Sequence, residues 1–335
     1  MTNETKFRVA VTGDFERLAM TAAPWSTLGA DADVVTFTEP FASATETVLA
    51  LRDFDAVTLM HERVPLTREI IEQLPRLKVI VFSGRKNETL DDKAAADRGV
   101  IVCNSNPQFD VPGGEPGGKS PSELALALLL GCTWQIGALT TLIREGGWAA
   151  QPGVPLRGKT LGILGFGSVG RPVARVGLAL GMRVLVYSRS LTQETAAVEN
   201  VMAAELATVL QKSDVISIHL PLNSGTRGMI GADQIALMKD GVIVINTARA
   251  SIIEEQPFLE ALRTRKIAMA GLDVYWQEPL PADHPLKRLP NVVMTPHIGY
   301  VTEDTMAVRY RGLLEKLTAY RGGKVVGRYP SKPVP

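Results

Sequence analysis

Short apolar runs alternate with polar, helix-prone stretches over the first hundred residues of the chain. The runs typical of buried strands are Phe7–Val11, Asp33–Phe37, Ala56–Leu59, Lys78–Phe82 and Val100–Cys103. Stretches between them, such as Leu66–Leu74 and Asp91–Arg98, have the composition of helices. Strand–helix alternation of this kind predicts a parallel sheet with helices on both of its faces.

A second alternating set begins at Thr160. Its predicted strands are Thr160–Leu164, Arg183–Tyr187, Val215–His219, Val242–Asn246, Met269–Asp273 and Val292–Thr295. Six strands are the number that a complete dinucleotide-binding sheet needs. A final helix is predicted over Thr302–Tyr320. The pattern therefore indicates a second parallel-sheet domain after the first.

The segments between the two sets differ sharply in composition. Pro107–Pro121 is rich in glycine and proline and is expected to form a loop. The segment from Ser122 to Glu145 is predicted to be one long helix. Its uncharged part has the length of a membrane span, which is about 20 residues. Polar and glycine residues within it, and the lack of a flanking basic cluster, instead favour a helix buried between layers or domains.

The sequence GFGSVG directly follows the predicted strand LGIL and opens a helix. In that setting, a G-x-G-x-x-G motif predicts a dinucleotide phosphate site. Gly165 permits the tight turn, Gly167 lets the backbone approach the pyrophosphate, and Gly170 allows close helix–strand packing. Ser168 and Val169 lie at the helix N-terminus, which favours negative charge. The alternative is a turn with only a structural role.

The residues after the next predicted strand bear on the choice of cofactor. NAD-binding members of this fold usually place an acidic residue there to hold the ribose 2′-hydroxyl. This chain has Ser188, Arg189 and Ser190 instead. Hydroxyl and guanidinium groups would bind a 2′-phosphate, which a carboxylate would repel. The sequence therefore favours NADP over NAD, unless Arg189 only stacks on the adenine or is solvated.

Composition limits the classes of protein that fit these patterns. With 335 residues, the chain is expected to form two domains. The net charge of +1 gives no electrostatic case for binding nucleic acid or an anionic membrane. Cys103 and Cys132 lie in apolar runs without disulfide or zinc spacing, so they are predicted to be buried, and no metal site is expected. No secretion signal is evident, which favours a cytoplasmic protein.

Three residues with complementary chemistry follow the last three predicted strands: Arg249 in NTAR, Glu278 in DVYWQEP and His297 in TPHIG. An imidazole titrates near neutrality, so His297 is suited to accept the hydroxyl proton of a 2-hydroxy acid and to return it in the reverse reaction. Glu278 would stabilise the charged imidazole. Arg249 would bind a carboxylate and polarise the adjacent carbonyl. Taken singly, each residue could instead have an ordinary surface or turn role.

These four motifs, in this order, resemble the D-isomer-specific 2-hydroxyacid dehydrogenase family over nearly the whole chain. The resemblance implies an α/β fold of two doubly wound parallel-sheet domains. A Rossmann NAD(P)-binding domain, residues 105–298, would be inserted into a flavodoxin-like substrate domain, residues 1–104 and 299–335. It further implies NAD(P)-dependent hydride transfer between nicotinamide and C2 of a small 2-oxo or D-2-hydroxy acid, carried out by a homodimer.

The resemblance also implies binding roles. The backbone around Ser83, Gly84 and Arg85 would hold the substrate carboxylate together with Arg249 and His297. Asp273 would receive the nicotinamide carboxamide. The other implied cofactor contacts lie in loops that follow predicted strands: Gly165, Gly167, Ser168, Val169, Gly170, Ser188, Arg189, Ser190, Leu220, Pro221, Thr247, Ala248 and Arg249.

Two features depart from the family's usual pattern. Ala250 follows Arg249 where the family has glycine, and this is tolerable if the backbone φ is negative. The connection Gln108–Ser120 is several residues longer than usual and is interpreted as either a lid or a surface insertion. Two other functions stay open. One is dinucleotide sensing, as in corepressors that share the fold. The other is phosphite or formate oxidation, although formate dehydrogenases carry glutamine at the position of Glu278.

Overall fold

The computed structural model describes residues 6–106, 120–149 and 152–330. The chain divides into two compact units, Met1–Asp110 with Val301–Pro335, and Val111–Tyr300. Each unit is an α/β structure around one parallel sheet. The predicted fold class is therefore confirmed. Of the long connection Gln108–Ser120, only Ser120 is among the described residues, so both interpretations of this segment stay predictions.

The first unit contains a five-stranded sheet with the order β2-β1-β3-β4-β5. All of its neighbouring strands are parallel. The strands are β1 (Phe7–Thr12), β2 (Ala32–Thr36), β3 (Ala56–Leu59), β4 (Val79–Ser83) and β5 (Ile101–Ser105). The central strands β3 and β4 are fully buried, as expected for apolar runs covered on both faces.

Short helices cover the first sheet. They are α1 (Ala19–Ala22), α2 (Ala44–Leu51), α3 (Arg68–Glu72) and α4 (Asp92–Asp97), with a 3-10 turn at Trp25–Leu28. Side-chain caps fix two of the helix starts. Ser43 accepts a hydrogen bond from the Glu46 amide at α2, and Asp91 accepts one from the Ala94 amide at α4.

The second unit contains a seven-stranded parallel sheet with the order β12-β11-β10-β9-β6-β7-β8. The strands are β6 (Thr160–Leu164), β7 (Arg183–Tyr187), β8 (Met202–Ala203), β9 (Val215–Ile218), β10 (Val242–Asn246), β11 (Ile267–Leu272) and β12 (Val292–Met294). The six predicted strands are confirmed. The seventh, β8, was not predicted. The order reverses between β6 and β9, the kind of position where ligands bind in open α/β sheets.

Helices α5 to α11 belong to the second unit, and α12 returns to the first. They are α5 (Ser120–Thr133), α6 (Ile136–Arg144), α7 (Gly170–Ala179), α8 (Gln193–Val198), α9 (Leu206–Lys212), α10 (Ala232–Leu237), α11 (Glu255–Arg263) and α12 (Glu303–Arg321), with 3-10 turns at Ala250–Ile252 and Pro285–Arg288. The predicted final helix is confirmed, with Thr302 as its N-cap.

The single long helix predicted from Ser122 to Glu145 is wrong. The segment forms α5 and α6, which are bent by 61° relative to each other. The break occurs at Gln135, which has left-handed torsions (φ 50°, ψ 36°) and therefore cannot continue a right-handed helix. The expected burial holds only for α5, because α6 has no buried residue.

No single helix in the described ranges is long and apolar enough to cross a membrane, and α5 with α6 passes that test only as a bent pair, by length and composition.

The predicted burial of the two cysteines is confirmed, and both are free thiols. Burial raises the pKa of the Cys132 thiol to about 12, so it is a small core residue rather than a reactive nucleophile.

Candidate active site

The predicted catalytic residues all lie in the second unit, at one edge of its sheet. Strands β10, β11 and β12 are adjacent and parallel, so their carboxyl ends meet at the same edge. Arg249 follows β10, Glu278 follows β11 and His297 follows β12. Three side chains that are far apart in sequence are thereby carried by neighbouring strand ends.

The His297–Glu278 pair is formed. His297 Nδ1 lies 2.5 Å from Glu278 Oε2, and both side chains are partly exposed. Because a carboxylate only accepts hydrogen bonds, Nδ1 carries a proton in this pair, and Nε2 is the nitrogen left for proton exchange. Glu278 Oε1 accepts a second bond from the Tyr275 amide at 2.9 Å, which fixes the orientation of the carboxylate.

Asp273 organises the turn that carries His297. Its Oδ1 accepts bonds from the Thr295 hydroxyl at 2.6 Å and the Ile298 amide at 2.8 Å. Its Oδ2 accepts one from the Gly299 amide at 2.9 Å. These bonds stabilise His297 in a left-handed conformation (φ 55°) that costs a non-glycine residue about 1–2 kcal/mol. Burial raises the pKa of the Asp273 carboxyl, although the hydrogen bonds oppose that shift.

Asn246, the last residue of β10, shapes the turn that presents Arg249. The buried Asn246 side chain accepts a bond from the Ala248 amide at 3.0 Å and donates one to the Arg249 carbonyl at 3.1 Å. The Arg249 side chain is exposed, and Nη1 donates to the Ala248 carbonyl at 2.8 Å. Its other guanidinium donors are suited to an anionic ligand. Ala250 has no positive φ, so the departure from glycine is tolerated.

The glycine loop lies between β6 and α7, at the same edge of this sheet. Gly165 has φ 99°, and a Cβ there would come within 2.7 Å of the His219 carbonyl oxygen. A Cβ on Gly170 would come within 2.1 Å of the Gly165 carbonyl oxygen, whereas one on Gly167 would meet no atom within 4 Å. The first and last glycines are thus required by the fold, and the exposed middle one is not. A need for glycine at position 167 therefore has to come from a ligand.

Backbone amides at the start of α7 fit an anionic group. The first amide of this turn with a protein acceptor is that of Arg171, which donates to the Gly167 carbonyl. The amides of Ser168, Val169 and Gly170 donate to no acceptor in the described part of the chain. Unpaired amides at the N-terminus of a ten-residue helix are suited to bind a phosphate group.

The end of β7 carries no carboxylate. Ser188 and Ser190 lie with their hydroxyl oxygens 3.4 Å apart, and the Arg189 side chain is exposed. After β9, the turn through Leu220 and Pro221 is held by the Thr226 hydroxyl, which donates to the Pro221 carbonyl at 2.6 Å. These residues lie at strand ends of the sheet that carries the glycine loop.

His219 precedes this turn and has a structural environment. Its Nε2 lies 2.9 Å from the Ser217 hydroxyl. Burial lowers the pKa of His219 to about 4, so the imidazole is neutral at physiological pH. A neutral, partly buried ring of this kind is not suited to act as an acid or base, so His219 is a structural residue.

The predicted carboxylate-binding turn lies in the first unit, at the carboxyl end of β4. Ser83 is fully buried, and Gly84 has φ 122°, which favours glycine. The Gly84 amide donates to the Ser105 carbonyl at 2.7 Å, so it is not available to a ligand. The amide of the exposed Arg85 has no such acceptor in the described chain. The turn therefore offers donors from Arg85 onward rather than from Gly84.

Sequence reasoning missed Asn246 and Thr295, and it missed the contacts of Asp273 to the His297 turn. Asn246 had a local signal, since an asparagine two residues before an amide commonly accepts its hydrogen bond. The Asp273–Thr295 contact had none, because it joins residues that are adjacent only once β11 pairs with β12. No group of three or more His, Cys, Asp or Glu among the described residues could hold a metal ion.

Two family models match this chain. The model of the D-isomer specific 2-hydroxyacid dehydrogenase NAD binding domain matches residues 126–299. The model of the catalytic domain of the same family matches residues 15–110. Together they cover most of both units, and the first covers the glycine loop and all three predicted catalytic residues.

Individual relatives agree with the models. A hydroxypyruvate reductase of Thermotoga maritima is 38% identical over 268 residues, covering 78% of this chain and 83% of the relative. A D-3-phosphoglycerate dehydrogenase of Archaeoglobus fulgidus is 37% identical over 266 residues, but the match spans only 48% of that protein. The solved structure of a phosphoglycerate oxidoreductase from Vibrio cholerae is 28% identical, with a TM-score of 0.84, covering 95% of this chain and 99% of that one.

Proposed function

The chain belongs to the D-isomer-specific 2-hydroxyacid dehydrogenase family, and we propose that it transfers a hydride between a nicotinamide dinucleotide and C2 of a small 2-oxo or D-2-hydroxy acid. The observation that carries the proposal is the His297–Glu278 pair beside the strand end of Arg249, at the sheet edge that also carries the glycine loop. This edge combines a histidine that can donate or accept a proton, an arginine that can bind a carboxylate, and backbone amides that can bind a phosphate.

His297 supplies the proton in the direction of reduction. Its Nε2–H would give a proton to the carbonyl oxygen of the 2-oxo acid, and a nicotinamide, when bound, would supply the hydride that C2 gains. The product is the 2-hydroxy acid, and the imidazole becomes neutral. Glu278 stabilises the charged imidazole beforehand and holds the ring by its Nδ1–H. In the oxidation direction, neutral His297 accepts the hydroxyl proton.

Arg249 binds the substrate carboxylate and polarises the carbonyl. A guanidinium can form two parallel bonds to a carboxylate, and it stabilises negative charge that develops on the carbonyl oxygen. The turn Ser83, Gly84 and Arg85 of the first unit has its own donors suited to a carboxylate. Because the Gly84 amide is committed to Ser105, we assign those contacts to the amide of Arg85 and the residue after it.

The open amides of Ser168, Val169 and Gly170 fit the pyrophosphate of a dinucleotide. NADP is preferred over NAD, because Ser188, Arg189 and Ser190 offer hydroxyl and guanidinium donors without a carboxylate that would repel a 2′-phosphate. The turns through Leu220–Pro221 and Thr247–Ala248 complete the cofactor contacts. Among the described residues, Asp273 Oδ2 accepts one bond, from the Gly299 amide, and it retains capacity for a nicotinamide carboxamide.

The alternatives have less support. A formate dehydrogenase would carry glutamine at position 278, where this chain has a carboxylate in contact with His297. No specific contact favours phosphite oxidation. Dinucleotide sensing alone does not need an aligned histidine–carboxylate pair, so enzymatic turnover explains more of the geometry. A cytoplasmic location stays a prediction from the sequence.

A homodimer formed through the second unit is consistent with the exposure of α6. This helix has no buried residue, and two of its apolar side chains, Ile136 and Ile143, are exposed. The nearby Trp148 is 91% exposed. Apolar surface of this kind is covered in most stable proteins, and a second copy of the chain would cover it. Ile143→Glu is expected to convert the dimer to a monomer, and light scattering would measure the change in molecular mass.

The test of the proposed activity is a reductase screen. Glyoxylate, hydroxypyruvate, pyruvate, phenylpyruvate and branched 2-oxo acids are each offered with NADPH and with NADH. We expect oxidation of NADPH with at least one acid and formation of the D-2-hydroxy acid, identified by chiral chromatography. Binding of NADPH without turnover of any acid would favour the sensing alternative.

A further inference from the structure

Trp276 attaches the turn that carries Glu278 to the segment that carries Arg249. Its indole Nε1 donates to the Ile253 carbonyl at 2.8 Å, and its ring packs against Phe258 of α11, with the ring centroids 5.9 Å apart. Trp276 lies two residues before Glu278, and Ile253 lies four residues after Arg249. One hydrogen bond within the second unit therefore connects the two turns that present these side chains.

His284 makes a second contact between the same two parts of the chain. Its Nδ1 accepts a bond from the Leu286 amide at 3.2 Å, so the ring N–H is on Nε2. Nε2 lies 2.8 Å from Glu255 Oε1 and donates to it. His284 follows Glu278 by six residues, and Glu255 follows Arg249 by six residues. The ring therefore uses one nitrogen within its own loop and the other to reach the start of α11.

The carbonyl that accepts the indole proton belongs to a fixed backbone. Ile253 is buried and forms a β-bridge with Ile230, whose amide and carbonyl each make a 3.0 Å bond to the segment around Ile253. By contrast, residues 277–279 are exposed, so burial does not fix them. The Glu278 carboxylate therefore depends for its position on hydrogen bonds made by the residues around it.

We propose that Trp276 and His284 are positioning residues for the catalytic groups of the second unit. Their contacts hold the Glu278 carboxylate, and with it the His297 imidazole, at a fixed place relative to Arg249. Reacting groups must be closely aligned, and a displacement of about 1 Å can lower a rate about 100-fold. The inference rests on the proposed function for the reaction, and the geometry behind it lies wholly within the second unit.

The two contacts of His284 can be separated by substitution. An asparagine at position 284 retains an acceptor near the place of Nδ1 for the Leu286 amide, but it is too short to reach Glu255. A glutamine reaches Glu255 with its amide nitrogen, but it has no acceptor at the place of Nδ1. If the bond to Glu255 positions the loop, His284→Gln is the more active variant. If His284 only caps the 3-10 turn Pro285–Arg288, His284→Asn is the more active one.

The test uses the full-length protein with NADPH and the best 2-oxo acid. Besides the two His284 variants, Trp276→Phe removes the indole donor and keeps an aromatic ring. Lys287→Met is the matched control, because Lys287 Nζ donates to the Leu280 carbonyl at 3.0 Å and that bond joins two residues of the same loop. For each variant we measure the Tm, and the kcat and KM well below the lowest Tm. The proton on His297 Nδ1 is observed by NMR with isotope-labelled histidine.

We expect Trp276→Phe to lower kcat at least about tenfold, with KM within about threefold, because the displaced groups act in the transition state. His284→Asn should lower kcat about threefold to tenfold, and His284→Gln should recover most of that loss. The resonance of the His297 Nδ1 proton should shift or broaden in Trp276→Phe, since the loop that carries its partner carboxylate is released. Lys287→Met should leave kcat, KM and this resonance unchanged.

Three results would overturn the inference. One is a kcat of Trp276→Phe within about twofold of the unmodified enzyme. Another is a higher kcat for His284→Asn than for His284→Gln, which would assign His284 to the cap alone. The third is an equal loss of kcat in Lys287→Met, which would show a general sensitivity of the loop. Failure of the proposed function has a different signature: the unmodified protein reduces no 2-oxo acid, while the His297 resonance still decides whether Trp276 fixes the pair of His297 with its carboxylate.

Discussion

Gly167 and Gly170 lie three residues apart in the same turn, but a methyl group at each would meet different surroundings. On Gly170 it would lie 2.1 Å from the Gly165 carbonyl oxygen and 3.2 Å from the side chain of Ile163. On Gly167 it would meet no atom within 4 Å, and the backbone φ there is not positive. Alanine at the two positions therefore separates what the fold requires from what a ligand requires.

The expected magnitudes follow from these distances. Gly170→Ala must displace backbone, and overpacking of this severity costs about 3 kcal/mol. For a domain of this size, that corresponds to a fall in Tm of about 6–12 °C. Gly167→Ala should leave the Tm unchanged or slightly raised, because alanine reduces the conformational entropy of the unfolded chain by up to about 1 kcal/mol. It should nevertheless weaken NADPH binding at least about tenfold, since at the proposed cofactor site the methyl group would occupy the space that the pyrophosphate needs to approach the backbone.

The assay pairs thermal unfolding of the cofactor-free protein with calorimetric titration of NADPH. The two variants should therefore differ in opposite ways. Gly167→Ala should keep its Tm and bind NADPH poorly, whereas Gly170→Ala should have a lowered Tm. Binding of NADPH by Gly167→Ala within twofold of the unmodified protein would refute the assignment of this turn as the pyrophosphate site. An unchanged Tm for Gly170→Ala would refute the packing argument.

Three further substitutions test the site. Ser188→Asp should shift preference from NADPH toward NADH, because the new carboxylate repels a 2′-phosphate and accepts bonds from a ribose hydroxyl; an unchanged ratio of kcat/KM values would contradict this. Arg249→Lys should lower kcat/KM about 100-fold, through loss of the paired guanidinium bonds, with NADPH affinity retained in a fluorescence titration. Asp273→Asn should lower kcat/KM about 10–100-fold, since an amide nitrogen replaces one of the two acceptor oxygens and the bond from either the Ile298 or the Gly299 amide is lost. The Tm of Asp273→Asn should change less with pH than the Tm of the unmodified protein. Burial raises the pKa of Asp273, so the stability of the unmodified protein declines as the pH rises through that pKa. An equal pH dependence of the two Tm values would argue against this role of Asp273.

Much of the fold was predictable because its signals are local. Apolar runs such as Val79–Ser83 and Val242–Asn246 are long, β-branched and fully buried, so they indicate central parallel strands. The two-residue strand β8, with one residue exposed, is too short to produce such a pattern. The break at Gln135 lacks a glycine or proline at the bend itself, so the sequence predicts an uninterrupted helix there.

The sequence was enough to predict which residues form the candidate site, but not the hydrogen bonds that connect them. His297, Glu278 and Arg249 were identified from their motifs, and the contact between the first two depends on strand ends that the topology predicts to be neighbours. Contacts such as Asp273 to Gly299 and Arg309 to Ser83 depend on the depth and direction of individual side chains. Those properties arise from packing between elements, which no spacing in the sequence specifies.

The most direct test of the account measures both the turnover of His297→Ala and its affinity for NADPH. Steady-state reduction of the best 2-oxo acid is measured over a range of pH, and NADPH binding is titrated in the same preparation. The account predicts a fall in kcat of about 10²–10⁴-fold, because the carbonyl oxygen loses its proton donor, with cofactor affinity nearly unchanged. Turnover by His297→Ala at the rate of the unmodified enzyme would contradict the proposed chemistry.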